Sequence, residues 1–346
     1  MSNKVTLLVA GSWGTALASV LADNGHDVYM WTRSNEQAAE INEQHTNARY
    51  LPGIILSERI MATSDMKEAV EGSQAIIIVA PSSAMRSVVQ QLQPFYKKGT
   101  LIVHATKGFE TATLKRMSVV ISEELGCPEG DIVVLSGPSH AEEVVQKKPT
   151  TTVVASLNDE LANRARDLFM NVNFRVYTNR DLLGVELAGA FKNIIALGAG
   201  MSDGLGFGDN AKAAIITRGL AEIARIGVEM GANPLTFSGL AGVGDLVVTA
   251  TSKHSRNWRA GYALGQGKPL QEVLDAMGMV VEGIRTTEAA HAISQKYNVQ
   301  MPIADQLYKV LFTGKDSRTA VEALMGRDPK TEMEVMRLET WEQWHT

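Results

Sequence analysis

The sequence predicts an α/β fold: a doubly wound, mostly parallel sheet in an N-terminal domain, followed by an all-α C-terminal domain. Three observations predict it. Short β-rich runs alternate with helical stretches over roughly the first 180 residues, which implies parallel strands joined by crossovers. Near Asp181 the texture changes to Ala, Gly, Leu, Met and Glu, with apolar residues at helical spacing and no convincing strand. The 346 residues also exceed what one hydrophobic core usually organises. The expected division is 1–180 for the sheet domain and 181–346 for a helical domain.

Taken in order, the strands are "KVTLLVA", "DVYMW", "AIIIVA", "TLIVHAT", "DIVVLSG" and "TTTVVAS". Ser34 followed by Gln37 reads as a capping box opening the helix "SNEQAAEINEQ". Ser64 opens "SDMKEAVEG", and Gly72 closes it in C-cap fashion. In the second half, "NAKAAIITRGLAEIARIGVEMG" and "TEAAHAISQKY" carry helical periodicity. The stretch 182–201 is about long enough to span a bilayer, but Glu186, Lys192 and Asn193 interrupt it, so it reads as a helix buried in protein.

Bulk properties exclude some functions. A net charge of −5 argues against a nucleic-acid partner held by bulk electrostatics. The single cysteine, Cys127, cannot form an internal disulfide, which favours a reducing compartment. The N-terminus passes from Lys4 directly into a short apolar run, so no secretory leader is expected. The expected location is the cytoplasm, with no membrane span.

The chemistry begins at "LLVAGSWGTALA". Strand, glycine turn and helix follow one another as a dinucleotide fingerprint requires, with Gly11 and Gly14 in its last two glycine places and Val9 in the first. In that geometry helix N-terminal amides face a pyrophosphate. At the end of the second strand, where a dinucleotide site selects its ribose, Thr32 and Arg33 stand instead of a carboxylate. Arg33 can pair with a 2′-phosphate and stack on adenine, so the site should accept NADPH. Further loops at strand ends carry Pro81, Lys107 with Gly108, and Gly137 to Ala141. Pro138 precedes Ser139 in "GPSHA", and the second glycine of a nucleophile elbow is missing, so hydrolytic serine chemistry is rejected. No metal-ligand spacing occurs.

Lys192, inside "VELAGAFKNIIALGAG", is the most informative residue. Burying an ammonium is costly unless it is paired or its pKa falls, and a lysine with a lowered pKa exchanges protons near neutrality. The bland alternative is a lysine whose stem packs while its head reaches water. The stretch "GLAGVGDLVVTATSKHSRNWRAG" leads through Asp245 and Thr249 to Ser255, Arg256 and Asn257. Its hydroxyls, cations and amide before a helix suit a phosphate, against the alternative of a solvated basic loop.

Together "GSWGTALA", "TKGFE", "SGPSHAEEV", "ELAGAFKNIIALGAGMSDGLGFGDNAKAAIITRG", "GLAGVGDLVVT" and "SRN" with "VVEG" resemble the bacterial NAD(P)-dependent sn-glycerol-3-phosphate dehydrogenase family across nearly the whole chain. The resemblance implies a Rossmann domain followed by a helical domain, and hydride transfer between NADPH or NADH and dihydroxyacetone phosphate. The product is glycerol 3-phosphate for phospholipid synthesis. It implies nucleotide contacts from Ser12, Trp13, Arg33, Lys107, Ala141, Arg256, Val280 and Glu282. Substrate contacts would come from Lys107, Gly137, Ser139, Lys192, Asp245, Ser255, Arg256 and Asn257, with Lys192 as the proton acceptor. The expected partner is a small phosphorylated molecule, with a homodimer as the candidate assembly. Val9 departs from the family's glycine, which puts cofactor affinity or the stability of the turn in question. Two rival readings remain. A β-hydroxyacid dehydrogenase or ketopantoate reductase would leave "KHSRN" superfluous. A nucleotide sensor without catalysis would not need Lys192.

Overall fold

In the computed structural model residues 4–278, 280–329 and 331–332 are described. The N-terminal half begins with β1 (Lys4–Leu8), α1 (Ser12–Asp23), β2 (Asp27–Trp31), α2 (Asn35–Gln44), β3 (Ile60–Thr63) and α3 (Met66–Val70). It continues with β4 (Ala75–Ile78), α4 (Met85–Leu92), β5 (Leu101–His104), a small hairpin of β6 (Phe109–Glu110) and β7 (Lys115–Arg116), and α5 (Met117–Leu125). It closes with β8 (Ile132–Ser136), α6 (Ala141–Val145), β9 (Thr150–Ala155), α7 (Asp159–Phe169) and β10 (Phe174–Asn179).

The eight-stranded sheet has the order β10-β9-β8-β5-β4-β1-β2-β3. The six strands from β8 to β3 are parallel, whereas β9 pairs antiparallel with β8 and parallel with β10. Strand residues of alternating parity feed two separate cores, Leu7 and Ile77 on one face and Leu8, Ile76 and Ile78 on the other. Burial on both faces is why these strands read as continuous apolar runs. The strand order reverses on either side of β1, so a crevice opens at the carboxyl ends of β1 and β4.

Several local expectations are adjusted. The strands "IMAT" and "FRVYTN" join the sheet in addition to the six runs the sequence suggests. The N-cap of α3 is Asp65, whose carboxylate accepts from the amides of Lys67 and Glu68, rather than Ser64. Gly72 does stand just past that helix with φ +76°. Ser34 caps α2 by accepting from the Gln37 amide at 3.1 Å. The box is only half formed, because the Gln37 side chain donates to Ala10 O at 2.7 Å and reaches Asn47. The connection from β8 carries α6, a five-residue helix lying against α1, and returns the chain so that β9 runs antiparallel to β8.

The second half is helical: α8 (Leu182–Gly204), α9 (Asp209–Glu229), α10 (Asp245–Thr251), α11 (Arg256–Gly265), α12 (Leu270–Met277), α13 (Glu282–Lys296), α14 (Pro302–Thr313) and α15 (Ser317–Met325). Its axis is α8, packed by α9, α10, α11, α13 and α14. This is the one helix among the described residues long and apolar enough to cross a membrane, and 94% of its apolar window is buried inside the fold. A helix apolar on every side is the core helix of a large domain. Glycines set its closest contact. A Cβ on Gly200 would fall 2.0 Å from Trp258 O and one on Gly204 2.2 Å from Tyr262 O. On the facing helix, Gly261 and Gly265 would meet Leu197 O at 1.9 Å and Met201 O at 2.3 Å. The two backbones therefore touch, and the start of α11 is fixed against α8.

Glu186, the first charge inside α8, ties this helix to the sheet. Its carboxylate pairs with Arg116, accepts from the Ser118 amide at 2.8 Å and hydroxyl at 2.6 Å, and lies 3.2 Å from His104 Nε2. Burial opposes its ionisation, but His104, Arg116 and Ser118 hold its pKa at about 2.

Candidate active site

The first part of the site is the turn after β1. Gly11 has open space where a Cβ would stand, and no side chain caps α1, whose first turn holds no acidic residue. The leading amides of α1 are thus free to face an anion. Gly14 is obligatory for another reason, since its Cβ would lie 2.4 Å from Val9 O. Val9 itself has φ +80°, the left-handed region that β-branched residues rarely enter. Replacing Val9 with glycine should relieve about 1–2 kcal/mol of strain. The expected outcome for Val9→Gly is tighter NADPH binding and a higher unfolding midpoint. Superimposable NADPH titration curves for the two proteins would sever the link to binding.

Next to this turn lies a cleft of about 410 Å³, lined by Val9 to Gly11, Trp31 to Ser34, Gln37, Arg49 and Tyr50 among others. Ser12 Oγ donates to Tyr50 O at 2.9 Å, which holds the 46–50 loop against α1. Trp13 packs on the sheet face beneath. The turn, its uncapped helix and the adjoining cleft fit a dinucleotide, with Ser12, Trp13 and Arg33 at the edge where it would run.

The second part joins both halves of the chain. Lys107 follows β5, and its Nζ donates to Asp245 Oδ2 at 2.6 Å and to Gly137 O at 3.2 Å. Lys192 Nζ, on α8, donates to Asp245 Oδ1 and to Thr249 Oγ1, the latter at 2.6 Å. One carboxylate therefore bridges two ammonium groups. A π-turn over Leu240–Gly244 leads into α10 and presents Asp245, whose side chain is 2% exposed. The turn needs glycine at 242, where a Cβ would lie 2.0 Å from Phe237 O.

Burial drives the Lys192 pKa down and Lys107 adds to the effect. Asp245 opposes it, and the balance is about 7. Asp245 is held below the ordinary carboxylate value because both lysines outweigh its burial. Gly137, at φ +122°, and Ser139, whose Oγ donates to Gly137 O at 2.9 Å, form the adjoining loop, and Ala141 opens α6 behind it.

The third part is the N-terminus of α11. Ser255 caps it by accepting from the Trp258 amide at 3.1 Å. Asn257 Nδ2 donates to Asn193 Oδ1, and Asn257 Oδ1 accepts from the Gly283 amide, both at 2.8 Å. Arg256 is exposed and donates to Val280 O at 3.0 Å. Glu282 reaches back to the sheet, where its carboxylate accepts from the Ser82 amide at 3.2 Å and hydroxyl at 2.8 Å. Asn193 beside Lys192 thus links the lysine helix to the start of α11.

Every residue expected from the sequence lies on these three parts. Lys107, Gly137, Ser139, Lys192 and Asp245 form one cluster, and Ser255, Arg256, Asn257, Val280 and Glu282 form its neighbour. Ser12, Trp13 and Arg33 lie along the turn and its cleft. Thr249 is turned inward to Lys192 rather than toward a phosphate, while Thr251 and Lys253 are exposed. Sequence reading missed Thr249 as the partner of Lys192, although its i+4 spacing from Asp245 puts both on one helix face. It also missed Ser82, 200 residues from the Glu282 it holds.

Residues 4–162 match the model of the NAD-dependent glycerol-3-phosphate dehydrogenase N-terminus, and residues 181–322 match that of its C-terminus. The chain belongs to the NAD-dependent glycerol-3-phosphate dehydrogenase family. It is 58% identical over 331 residues to glycerol-3-phosphate dehydrogenase (NAD(P)+) of Geobacillus kaustophilus, covering 95% of this chain and 96% of that one. The same identity holds over 332 residues with the Bacillus subtilis protein of that name, covering 96% of each. The crystal structure of glycerol-3-phosphate dehydrogenase from Coxiella burnetii superimposes with a TM-score of 0.90 at 40% identity, covering 94% of this chain and 99% of that one. As a member of this family the chain is an NAD(P)-dependent oxidoreductase.

Proposed function

We infer that the chain interconverts dihydroxyacetone phosphate and sn-glycerol 3-phosphate with NADPH or NADH. The observation that carries this reading is the Lys107–Asp245–Lys192–Thr249 chain, next to the N-terminus of α11 at the carboxyl edge of the sheet. When bound, the nicotinamide supplies hydride to the substrate carbon or takes it back. The protein supplies the rest.

Arg256, Asn257 and the leading amides of α11 bind the substrate phosphate through charge-assisted bonds. Lys107 and Asp245 orient the reacting end. Lys192 then gives its proton to the carbonyl oxygen as that oxygen gains charge, and in the reverse direction it takes the hydroxyl proton. The lysine cations stabilise the alkoxide-like state between ketone and alcohol. Asp245 keeps Lys192 chargeable at neutral pH in spite of its burial.

The sign of the pH dependence follows. Below pH 7 Lys192 is an ammonium and can donate, so ketone reduction is favoured. Above pH 7 it is a free amine and can accept, so alcohol oxidation is favoured. Reduction is expected to fall, and oxidation to rise, through an inflection near pH 7. Profiles with the same slope in both directions would remove Lys192 from proton transfer.

The reading assigns 1–180 to the nucleotide, with Ser12, Trp13, Arg33, Lys107, Ala141, Arg256, Val280 and Glu282 along it, and 181–346 chiefly to the substrate. Gly137, Ser139 and Ser255 complete the substrate contacts. The product is a phospholipid precursor, and the single cysteine and the buried character of α8 support a cytoplasmic location. The test is the absorbance at the nicotinamide band with dihydroxyacetone phosphate, using NADH and NADPH in parallel. No oxidation of either would overturn the reading.

A further inference from the structure

We propose that Arg49 is a specificity-determining residue which, together with Arg33, grips the 2′-phosphate of NADP(H) and sets the preference of this enzyme for NADPH over NADH. This rests on the reading above for the identity of the cofactor.

Arg33 and Arg49 reach the same cleft from different segments, one just after β2 and the other in the loop after α2. A phosphate dianion is best held by more than one cation, and guanidinium groups match its oxygens bidentately. Arg33 alone could stack on adenine and serve either cofactor. A second arginine on the same cleft gives the site a charge that only the 2′-phosphate uses.

The loop that carries Arg49 is built to hold its place. Asn47, 1% exposed, donates to Ala10 O at 3.0 Å and to Thr15 Oγ1 at 2.8 Å, so the loop is bonded to the nucleotide turn itself. Tyr50 O is tied to Ser12, and the Arg49 guanidinium lies 5.6 Å from the Tyr50 ring centre. The two carboxylates on the cleft are engaged. Glu40 accepts from the Ala48 amide at 2.6 Å and the Thr46 hydroxyl at 2.9 Å, and Glu36 accepts from Ser34 Oγ at 2.6 Å. Neither stands at the tip of β2, where a carboxylate would take the free 2′-hydroxyl of NADH and repel a phosphate.

The experiment has two arms on wild type, Arg49→Ala and Arg49→Lys. Calorimetric titration with 2′-phospho-ADP-ribose and with ADP-ribose reads the phosphate contact without turnover. The ratio of kcat/KM for NADPH to that for NADH reads it during turnover. Arg49→Ala is expected to weaken 2′-phospho-ADP-ribose about tenfold or more and ADP-ribose less than twofold, with the kcat/KM ratio falling in step. Arg49→Lys should recover part of both losses. Equal weakening of the two ligands, or no change in either, would overturn the proposal. Wild type that separates the two ligands but oxidises neither cofactor with dihydroxyacetone phosphate would instead overturn the functional reading.

Discussion

Lys192→Ala is expected to lower turnover with dihydroxyacetone phosphate by about three orders of magnitude, within the range general acid–base groups contribute. Cofactor binding should be retained, because Lys192 lies on α8 and lines neither the turn after β1 nor the adjoining cleft. Folding should also be retained. Truncation leaves Asp245 paired with Lys107 at 2.6 Å, so no buried carboxylate is orphaned. Any residual activity should have lost the inflection near pH 7 that Lys192 imposes. Fluorescence titration with NADPH, a thermal melt and a turnover assay on one preparation separate these outcomes. Undiminished turnover would refute the role assigned to this lysine.

Asp245→Asn should have the second largest effect, by a different route. The carboxylate is the one group that raises the Lys192 pKa against burial and against Lys107. Without it two ammonium groups face each other in an apolar site, and the cheaper response is for Lys192 to lose its proton. The inflection should move below pH 7, and reduction at neutral pH should fall by a factor on the order of 10²–10³, as when one preorganised electrostatic group is removed. Breaking a buried pair also destabilises, by about 3–5 kcal/mol before such relief, so the melting midpoint should drop. An inflection that stays near pH 7 would show that Asp245 does not set the lysine's proton affinity.

Much of this was legible from residue types alone. The central strands are buried on both sides, so "AIIIVA" and "DIVVLSG" announce themselves as apolar runs. By contrast β3 leaves Met61 exposed, and β10 leaves Arg175 and Tyr177 exposed, so neither resembles a core strand. The reversed direction of β9 was beyond reach, because the residues of a strand do not themselves mark its direction. Lys192 stood out because a charge inside an apolar helix is anomalous. Thr249 did not, since a threonine on a helix has many uses and only the fold brings it to the lysine. Arg49 sits in a polar loop where an arginine attracts no notice, and its relation to Arg33 is set by the packing of two segments against α1.

The glycine contacts between α8 and α11 have a consequence for substrate selection. They fix, backbone against backbone, the separation between Lys192, the proposed proton donor, and the start of α11, the proposed phosphate site. That separation works as a ruler. A ketone one carbon further from its phosphate is expected to be a poor substrate on this assignment, because neither helix can slide to meet it. On the proposed assignment, chain length is expected to be discriminated by two rigid helices, with no side chain needed to block the longer molecule.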